Sequence, residues 1–325
     1  MSEVATSDQS LDLDVLVRTM PGRLALLTEA LASLVALRLP AVRALVIVDT
    51  RDPDYLPAVV DLTERLESSL HCDVITAPEA ESRGKRLNRG LDRASAEFVG
   101  VLDDDDVYLP AFGSHLLPYL REHRECAVAY GIGQVVEGAS TRDGFRASQL
   151  RESFAFPFDV VRLAAENFIP PCTIAVRRSV LVEQSIRFDP QLWGLEDWAF
   201  LLDIAVENDF AFIPVPVAEW RRWHRAGISA SSERVRKRQA RAQIESSRYD
   251  RALKIPLNQL ARLYRDREVA QAHADSADHL LDLMLHSRSW KLTRPLRRAT
   301  KSALPDALTL IDHPVGRDRA PDSAP

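Results

Sequence analysis

The sequence predicts an α/β fold with a doubly wound, mostly parallel sheet. Four short apolar runs rich in Val, Ile and Leu are typical of buried strands, over 13–17, 44–48, 72–76 and 98–102. Apolar residues at helical spacing separate them, over 24–34 and 59–66, and a shorter helix is predicted over 84–94. Strands that alternate with helices form a parallel sheet covered on both faces, with ligands beyond the carboxyl ends of the strands. The residues that follow each strand are therefore the first candidates for a site.

The second half of the chain alternates less regularly. We predict a helix to about residue 123, a strand over 127–136, a mobile loop over 137–149 and a strand over 172–176. A helix begins near Leu195, and prolines at 214 and 216 indicate an edge strand over 210–217. Beyond Ser231 the sequence becomes helical and basic. The predicted organisation is an α/β domain over 1–231, a helical region over 232–290, and a basic segment with a disordered tail over 291–325.

Composition bounds the class of protein. The chain has 325 residues, of which 46% are hydrophobic, which is enough for a sizeable core. No apolar run approaches the ~18 residues that a membrane span needs, so we expect a soluble, cytoplasmic protein. The three cysteines lie far apart in apolar runs, as reduced core thiols do. A net charge of -5 gives no reason to expect nucleic-acid binding.

Four consecutive carboxylates, Asp103 to Asp106, stand directly after a predicted buried strand. Most acidic runs are solvated loops, but apolar residues flank this one on both sides. Carboxylates held together at the ligand-binding edge of a sheet repel each other unless a cation offsets their charge. Mg²⁺ or Mn²⁺ binds through few carboxylates and through diphosphate oxygens, so we predict such an ion here.

A second acidic pair, Glu196 and Asp197, opens a predicted helix after Gly194. Acids are common at helix N-termini, where they stabilise the helix dipole. An acid at this position also suits a general base if the helix start faces the cleft. From the sequence alone both interpretations stay open.

Aromatic, basic and imidazole groups are dense over 220–229. A histidine among arginines, as His224 is, favours its neutral, metal-binding form. Arginines such as Arg222 suit bidentate binding of phosphate. These residue types suit Arg222 to a phosphate of a nucleotide ligand and His224 to a metal ion.

Together these motifs resemble the inverting family-2 glycosyltransferases of the GT-A fold, over about 13–231. The match consists of the first strand with Arg18 and Thr19, the strand that ends at Asp49, the segment 82–91, the acidic run, the 195–197 segment and the close over 222–229. The second strand continues Asp49, Thr50, Arg51, Asp52, where the family often has Asp-Asp-Gly-Ser.

The resemblance implies a role for individual residues. It places Thr19 and Asp49 near the nucleoside, Arg86 and Asn88 beside the base and ribose, and Asp197 as the catalytic base with Glu196 beside it. It also implies that Asp105 binds the metal with Asp104 and Asp106 close by, and that His224 closes over metal and diphosphate. Because four acids are consecutive, which of them binds the metal is left open.

The expected activity is transfer of a sugar from a UDP- or dTDP-sugar to a saccharide or lipid-linked acceptor. The segment 286–301, with six Lys or Arg residues and Trp290, also looks like the end of many bacterial surface-polysaccharide glycosyltransferases. It suits a peripheral contact with an anionic membrane, or a helix packed on the main domain. Two alternatives remain: a non-catalytic sugar-binding scaffold, and a nucleotidyltransferase, for which the loop after the first strand has too few glycines.

Overall fold

The computed structural model describes residues 11–50, 52–78, 81–223 and 230–248, with isolated positions at 259, 265, 266, 268–270 and 276. Within this part nine strands form one sheet. They are β1 (Leu13–Thr19), β2 (Val42–Asp49), β3 (His71–Ala77), β4 (Phe98–Asp103), β5 (Val107–Tyr108), β6 (Cys126–Thr141), β7 (Gly144–Phe154), β8 (Ile174–Arg177) and β9 (Asp209–Trp223). The strand order is β3-β2-β1-β4-β8-β6-β9-β5, and β7 pairs with β6 outside this path.

Eight α-helices lie in the same part of the chain. They are α1 (Leu24–Ala36), α2 (Tyr55–Leu66), α3 (Arg83–Leu91), α4 (Leu117–Glu122), α5 (Val160–Ala165), α6 (Arg178–Glu183), α7 (Glu196–Ala205) and α8 (Ala230–Arg248). A π-helical turn, Phe112–Leu116, precedes α4, and a 3₁₀ turn, Pro171–Thr173, precedes β8.

The sheet is buried on both faces because its central strands are almost continuously apolar. In β1, Val15 and Val17 share a core with α1, α2 and α4, whereas Leu16, one residue out of phase, shares a core with α3 and α5 to α8. Successive side chains of a strand point to opposite faces, so a continuous apolar run fills both layers.

Strands β1 to β4 are parallel to one another, as predicted. Their carboxyl ends therefore meet at one edge, which brings Thr19, Asp49 and Asp103 to the same side of the sheet. The second half is mixed: β6 pairs antiparallel with β7 and β8 and parallel with β9.

The prediction of a loop over 137–149 is wrong. Strand β6 continues to Thr141, and β7 returns antiparallel from Gly144, whose φ of 128° closes the turn. Most residues over 137–149 are exposed, and most are polar. A ribbon without a core on either face shows no alternation of apolar residues, so periodicity does not reveal it.

The strand predicted over 210–217 is part of β9, which extends to Trp223. Pro216 lies opposite Ile132 of β6 where the register shifts, and β5 joins β9 only at Ala218 and Glu219. Among the described strands, the prolines therefore have a partner on one side at most, which suits residues that lack an N–H donor.

The chain divides into two compact units, 1–259 and 260–325. Helix α8 belongs to the first unit, because Ala240 and Ile244 are buried in the core that contains α7. The predicted divisions near Ser231 and at 290 stay predictions. The described residues include no helix that is both long and apolar enough to span a membrane.

Candidate active site

A small cleft opens at the carboxyl ends of β1 and β4. Its walls are unusually rich in charged side chains. The lining residues are Arg18, Thr19, Met20, Arg23, Arg83, Arg86, Asp103 and Asp104. This is the edge at which ligands bind in doubly wound sheets.

Asp104 accepts several hydrogen bonds at the base of the cleft. Its buried carboxylate accepts hydrogen bonds from Thr19 Oγ1 at 2.8 Å, from Met20 N at 3.4 Å and from Arg23 Nη1 at 2.6 Å. Burial raises the pKa of Asp104 to about 6, although Arg23 acts in the opposite direction. Thr19 also shares a 2.5 Å hydrogen bond with Tyr55, so the hydroxyl predicted to meet the nucleoside is used within the fold.

Asp105 and Asp106 differ in the kind of partner they have. Asp106 is buried and accepts a hydrogen bond from the main-chain N–H of Arg221 at 2.8 Å, and burial raises its pKa well above the usual range. Asp105 accepts from the indole of Trp223 at 3.1 Å and lies 3.6 Å from Arg23 Nη1. An ion can displace side chains, but it cannot displace a strand's main chain without breaking the strand.

Asp103 is the most exposed carboxylate of the acidic run, with 26% of its side chain accessible. It receives a hydrogen bond of 2.6 Å from Arg18 Nη2. The other nitrogen of that guanidinium, Nη1, lies 3.7 Å from Glu196 Oε1 at the start of α7. Arg18 therefore links the acidic run to the predicted catalytic helix.

Helix α7 begins at Glu196 after Leu195, which adopts the left-handed conformation with φ of 58°. This conformation costs a non-glycine residue about 1 kcal/mol or more and is common at functional sites. It places two acids in the first turn of α7, where the helix dipole favours negative charge. Burial raises the pKa of Glu196.

Asp197, the predicted base, is partly exposed, and its Oδ2 accepts a hydrogen bond of 2.8 Å from Asn167 Nδ2. Asn167 lies between α5 and the 3₁₀ turn. The amide thus fixes one oxygen of the carboxylate and leaves the other, Oδ1, outside this contact.

Two of the residues predicted to bind the nucleoside form a buried ion pair. Arg86 Nη1 is 2.8 Å from Asp49 Oδ2, with less than a tenth of either side chain exposed. The pair joins α3 to the end of β2, beside the cleft. The contacts of both residues with a nucleoside stay predictions.

Asn88 and Arg222 are not brought to the cleft by their contacts. The Asn88 amide donates to Phe188 O at 2.8 Å and accepts from Phe188 N at 3.0 Å, so it braces α3 against a loop. Arg222 is exposed and stacks on Trp220, with its guanidinium 4.3 Å from the ring centroid. Side chains alternate along a strand, and it is Arg221 and Trp223 that contact the acidic run. His224 lies outside the described residues.

Comparison with known proteins identifies the family. Residues 22–184, half of the chain, match the sequence family described as Glycosyl transferase family 2. The chain belongs to this family. A search of curated proteins finds no sequence match.

Solved structures of glycosyltransferases share the fold of this family-2 chain. TarS of S. aureus, residues 1–349 in complex with UDP-GlcNAc, is 20% identical with a TM-score of 0.54, and the match covers 68% of this chain and 61% of TarS. The mannosyltransferase PcManGT of Pyrobaculum calidifontis, in complex with GDP-Man and Mn²⁺, is 16% identical with a TM-score of 0.55, covering 93% and 83%. The chain thus spans about three fifths of the matched TarS structure. The family and these neighbours confirm the predicted GT-A class of fold.

Several residues of this family-2 site had no individual role among the predictions. Arg18 and Asp103 directly follow predicted strands, so their position was a usable signal, whereas Arg23 only precedes the first predicted helix. Trp223 adjoins the aromatic and basic segment. Asn167 lies in a stretch without a motif, and only the folded chain brings it to Asp197.

Proposed function

We propose that the chain is a divalent-metal-dependent, inverting glycosyltransferase. It moves a sugar from a nucleotide diphosphate donor, UDP- or dTDP-linked, to a hydroxyl of a saccharide or lipid-linked acceptor, and acts in cell-surface polysaccharide biosynthesis at the inner face of the plasma membrane. The observation that carries the proposal is Arg18, which lies 2.6 Å from Asp103 and 3.7 Å from Glu196. Because of this contact, a donor bound at the acidic run reaches the helix that begins with Glu196 and Asp197.

The acidic run suits a hard divalent ion. Asp103 accepts a hydrogen bond from Arg18 and Asp105 accepts one from Trp223, and Asp104 and Asp106 each accept a hydrogen bond from a main-chain N–H. The described residues hold no group of three or more protein ligands, so diphosphate oxygens would complete the shell, as is usual for Mg²⁺. We therefore assign Asp105 and Asp103 to the ion and keep His224 as a predicted ligand. Asp106 stabilises the run through its hydrogen bond with the main chain of Arg221.

The ion, when bound, would neutralise charge on the departing nucleoside diphosphate. The chain's own residues supply the rest. Asp197 accepts the proton of the acceptor hydroxyl, and Asn167 holds its carboxylate in place. Arg23 and Arg83 line the cleft and add positive charge beside the leaving group. One base and one displacement give inversion at the sugar carbon.

The test begins with thermal melting of the full chain with Mn²⁺ and a panel of UDP-, dTDP- and GDP-sugars. A donor at about 100 times its Kd stabilises the folded state by about 2.7 kcal/mol, which is a rise of several degrees. The donor that binds is then incubated with candidate acceptors, with and without EDTA. Transfer or donor hydrolysis that EDTA abolishes, with inverted configuration of the product by NMR, is the expected result. Donor binding without any turnover would instead indicate a sugar-binding scaffold.

A further inference from the structure

Three buried polar atoms beside the start of α7 have no hydrogen-bond partner within the described part of the chain. They are Arg18 Nη1, Glu196 Oε2 and Asn167 Oδ1. Buried polar atoms are nearly always paired in folded proteins, because water is not there to replace the missing partner. Their concentration at one helix start indicates that a ligand supplies the partners.

Arg18 and Glu196 face each other across a gap. Arg18 Nη1 is 3.7 Å from Glu196 Oε1, which is too long for a hydrogen bond. Only 11% of the Arg18 side chain and 6% of the Glu196 side chain are exposed, so bulk water does not fill the gap freely. Arg83 lies at the same distance from Oε1, but its side chain is half exposed and solvent can serve it.

Rigid elements hold this gap open. Arg18 lies on β1 directly opposite Asp103 of β4, and its Nη2 is committed to that carboxylate. Glu196 is the first residue of α7 and follows a left-handed Leu195. The core therefore fixes the backbone positions from which both side chains extend.

The charges on the two sides select the chemistry of the occupant. A phosphate would meet the Glu196 carboxylate, and a cation would meet the Arg18 guanidinium, so both are repelled from one side. A hydroxyl group is neutral, accepts a hydrogen bond from an N–H and donates one to a carboxylate. It therefore satisfies both buried groups at once.

We propose that Arg18 and Glu196 together bind one hydroxyl group of the transferred sugar and thereby determine which donor sugar is accepted. The proposal rests on the proposed function and adds the residues that select the sugar. Arg18 lies in the same cleft wall as Asp103, and Glu196 directly precedes the base Asp197, where the transferred sugar must lie for attack at its anomeric carbon.

The test compares two affinities by calorimetry with Mn²⁺, using the nucleotide sugar that the donor screen identifies and its nucleoside diphosphate alone. Glu196→Gln should weaken binding of the nucleotide sugar by ~10 to 100-fold, the usual effect of losing a hydrogen bond to a charged group, with little change for the diphosphate. Arg18→Gln should weaken binding of the nucleotide sugar more than binding of the diphosphate, which it also affects because Arg18 donates to Asp103. Arg83→Gln is the matched control, because it should change both affinities by the same factor. If Arg18→Gln does not fold, Arg18→Lys replaces it. Lysine keeps the positive charge, so the affinities for the nucleotide sugar and for the diphosphate can still be compared.

A second arm uses donors that lack one ring hydroxyl at a time. One deoxy donor should bind the wild type weakly yet bind Glu196→Gln as well as the parent sugar does. Equal losses for sugar and diphosphate, or deoxy donors that all lose affinity equally in wild type and variant, would overturn the proposal. A wild type that binds neither diphosphate nor nucleotide sugar would count against the proposed function itself, which keeps the two failures apart.

Discussion

Replacing Asp197 with asparagine removes one charge from the proposed base and changes little else. An asparagine side chain has the same size as aspartate, and its amide oxygen can still accept the hydrogen bond from Asn167 Nδ2, now 2.8 Å from Asp197 Oδ2. The donor cleft is lined by other residues, among them Arg18, Arg23 and Asp104. The substitution is therefore a test of the charge and not of the architecture.

The expected effects on rate and stability differ in size. A general base contributes about 10²- to 10⁴-fold to the chemical step, so Asp197→Asn should lower the single-turnover rate by that factor. A carboxylate in the first turn of a helix stabilises it by about 0.3–1 kcal/mol, so the melting temperature should fall by only ~1 to 4 °C. Donor affinity should stay near that of the wild type.

Single-turnover kinetics with excess enzyme and donor Kd from calorimetry measure the two quantities separately. A loss of rate at constant Kd identifies an interaction made only in the transition state. If rate and donor affinity fall together, or if neither changes, Asp197 only caps α7 and the base is another residue.

Four further outcomes are expected. Asn167→Ala should lower kcat about tenfold with donor Kd unchanged, because the base loses its fixed rotamer, and a weaker donor Kd with kcat intact would contradict this. Asp105→Asn should reduce Mn²⁺-dependent turnover by orders of magnitude with the fold intact, and near wild-type activity at limiting Mn²⁺ would remove it from the metal site. Burial raises the pKa of Glu196, so its charged form lowers stability at pH values above that pKa and not at pH values below its ordinary range. Glu196→Gln should thus raise the melting temperature at about pH 8 and not at about pH 4. An equal rise at both pH values would show that the buried charge of Glu196 is not the cause. Truncation after Leu285 should keep activity on a soluble acceptor analogue and lose salt-sensitive flotation with anionic liposomes, at about 1 kcal/mol per lost cation. Unchanged flotation would exclude the membrane contact, and a large fall in melting temperature without binding by the full chain would make the segment a structural brace.

The parallel half of the fold could be predicted because burial on both faces requires nearly unbroken apolar runs in β1 to β4. The outer part of the hairpin β6–β7, over 137–149, could not, since most of its residues are exposed and free to be polar. The strand predicted at the edge from its prolines is β9, which lies between β6 and β5 although the prolines themselves have a partner on one side at most.

The candidate site, like the fold, could be predicted only in part. Position after a strand was enough to find Asp49 and the acidic run. It was not enough to find the partners of the individual acids, because Asp106 accepts from the main-chain N–H of Arg221 and Asp105 from the indole of Trp223, both more than 100 residues later in the sequence.

Arg222 and Asn88 illustrate the same limit, since a motif gives the residue type and not the direction of the side chain. Asn88 has both polar groups of its amide on Phe188, 100 residues later in the chain. Arg222 is turned outward by the alternation of β9.

The long separations at the site also bear on how the protein is made. The indole of Trp223 reaches Asp105 across 118 residues, and Arg221 reaches Glu29 of α1 across 192. When β1 to β4 have left the ribosome, the first residues of the acidic run have been made, but Arg221 and Trp223 of β9 have not yet been synthesised. Sheets assembled from such distant segments fold slowly, because chain entropy is lost before the closing contacts form. Synthesis of β9 is thus the step that completes the site, and until then four clustered carboxylates and an unpaired strand edge are exposed to solvent and to chaperones.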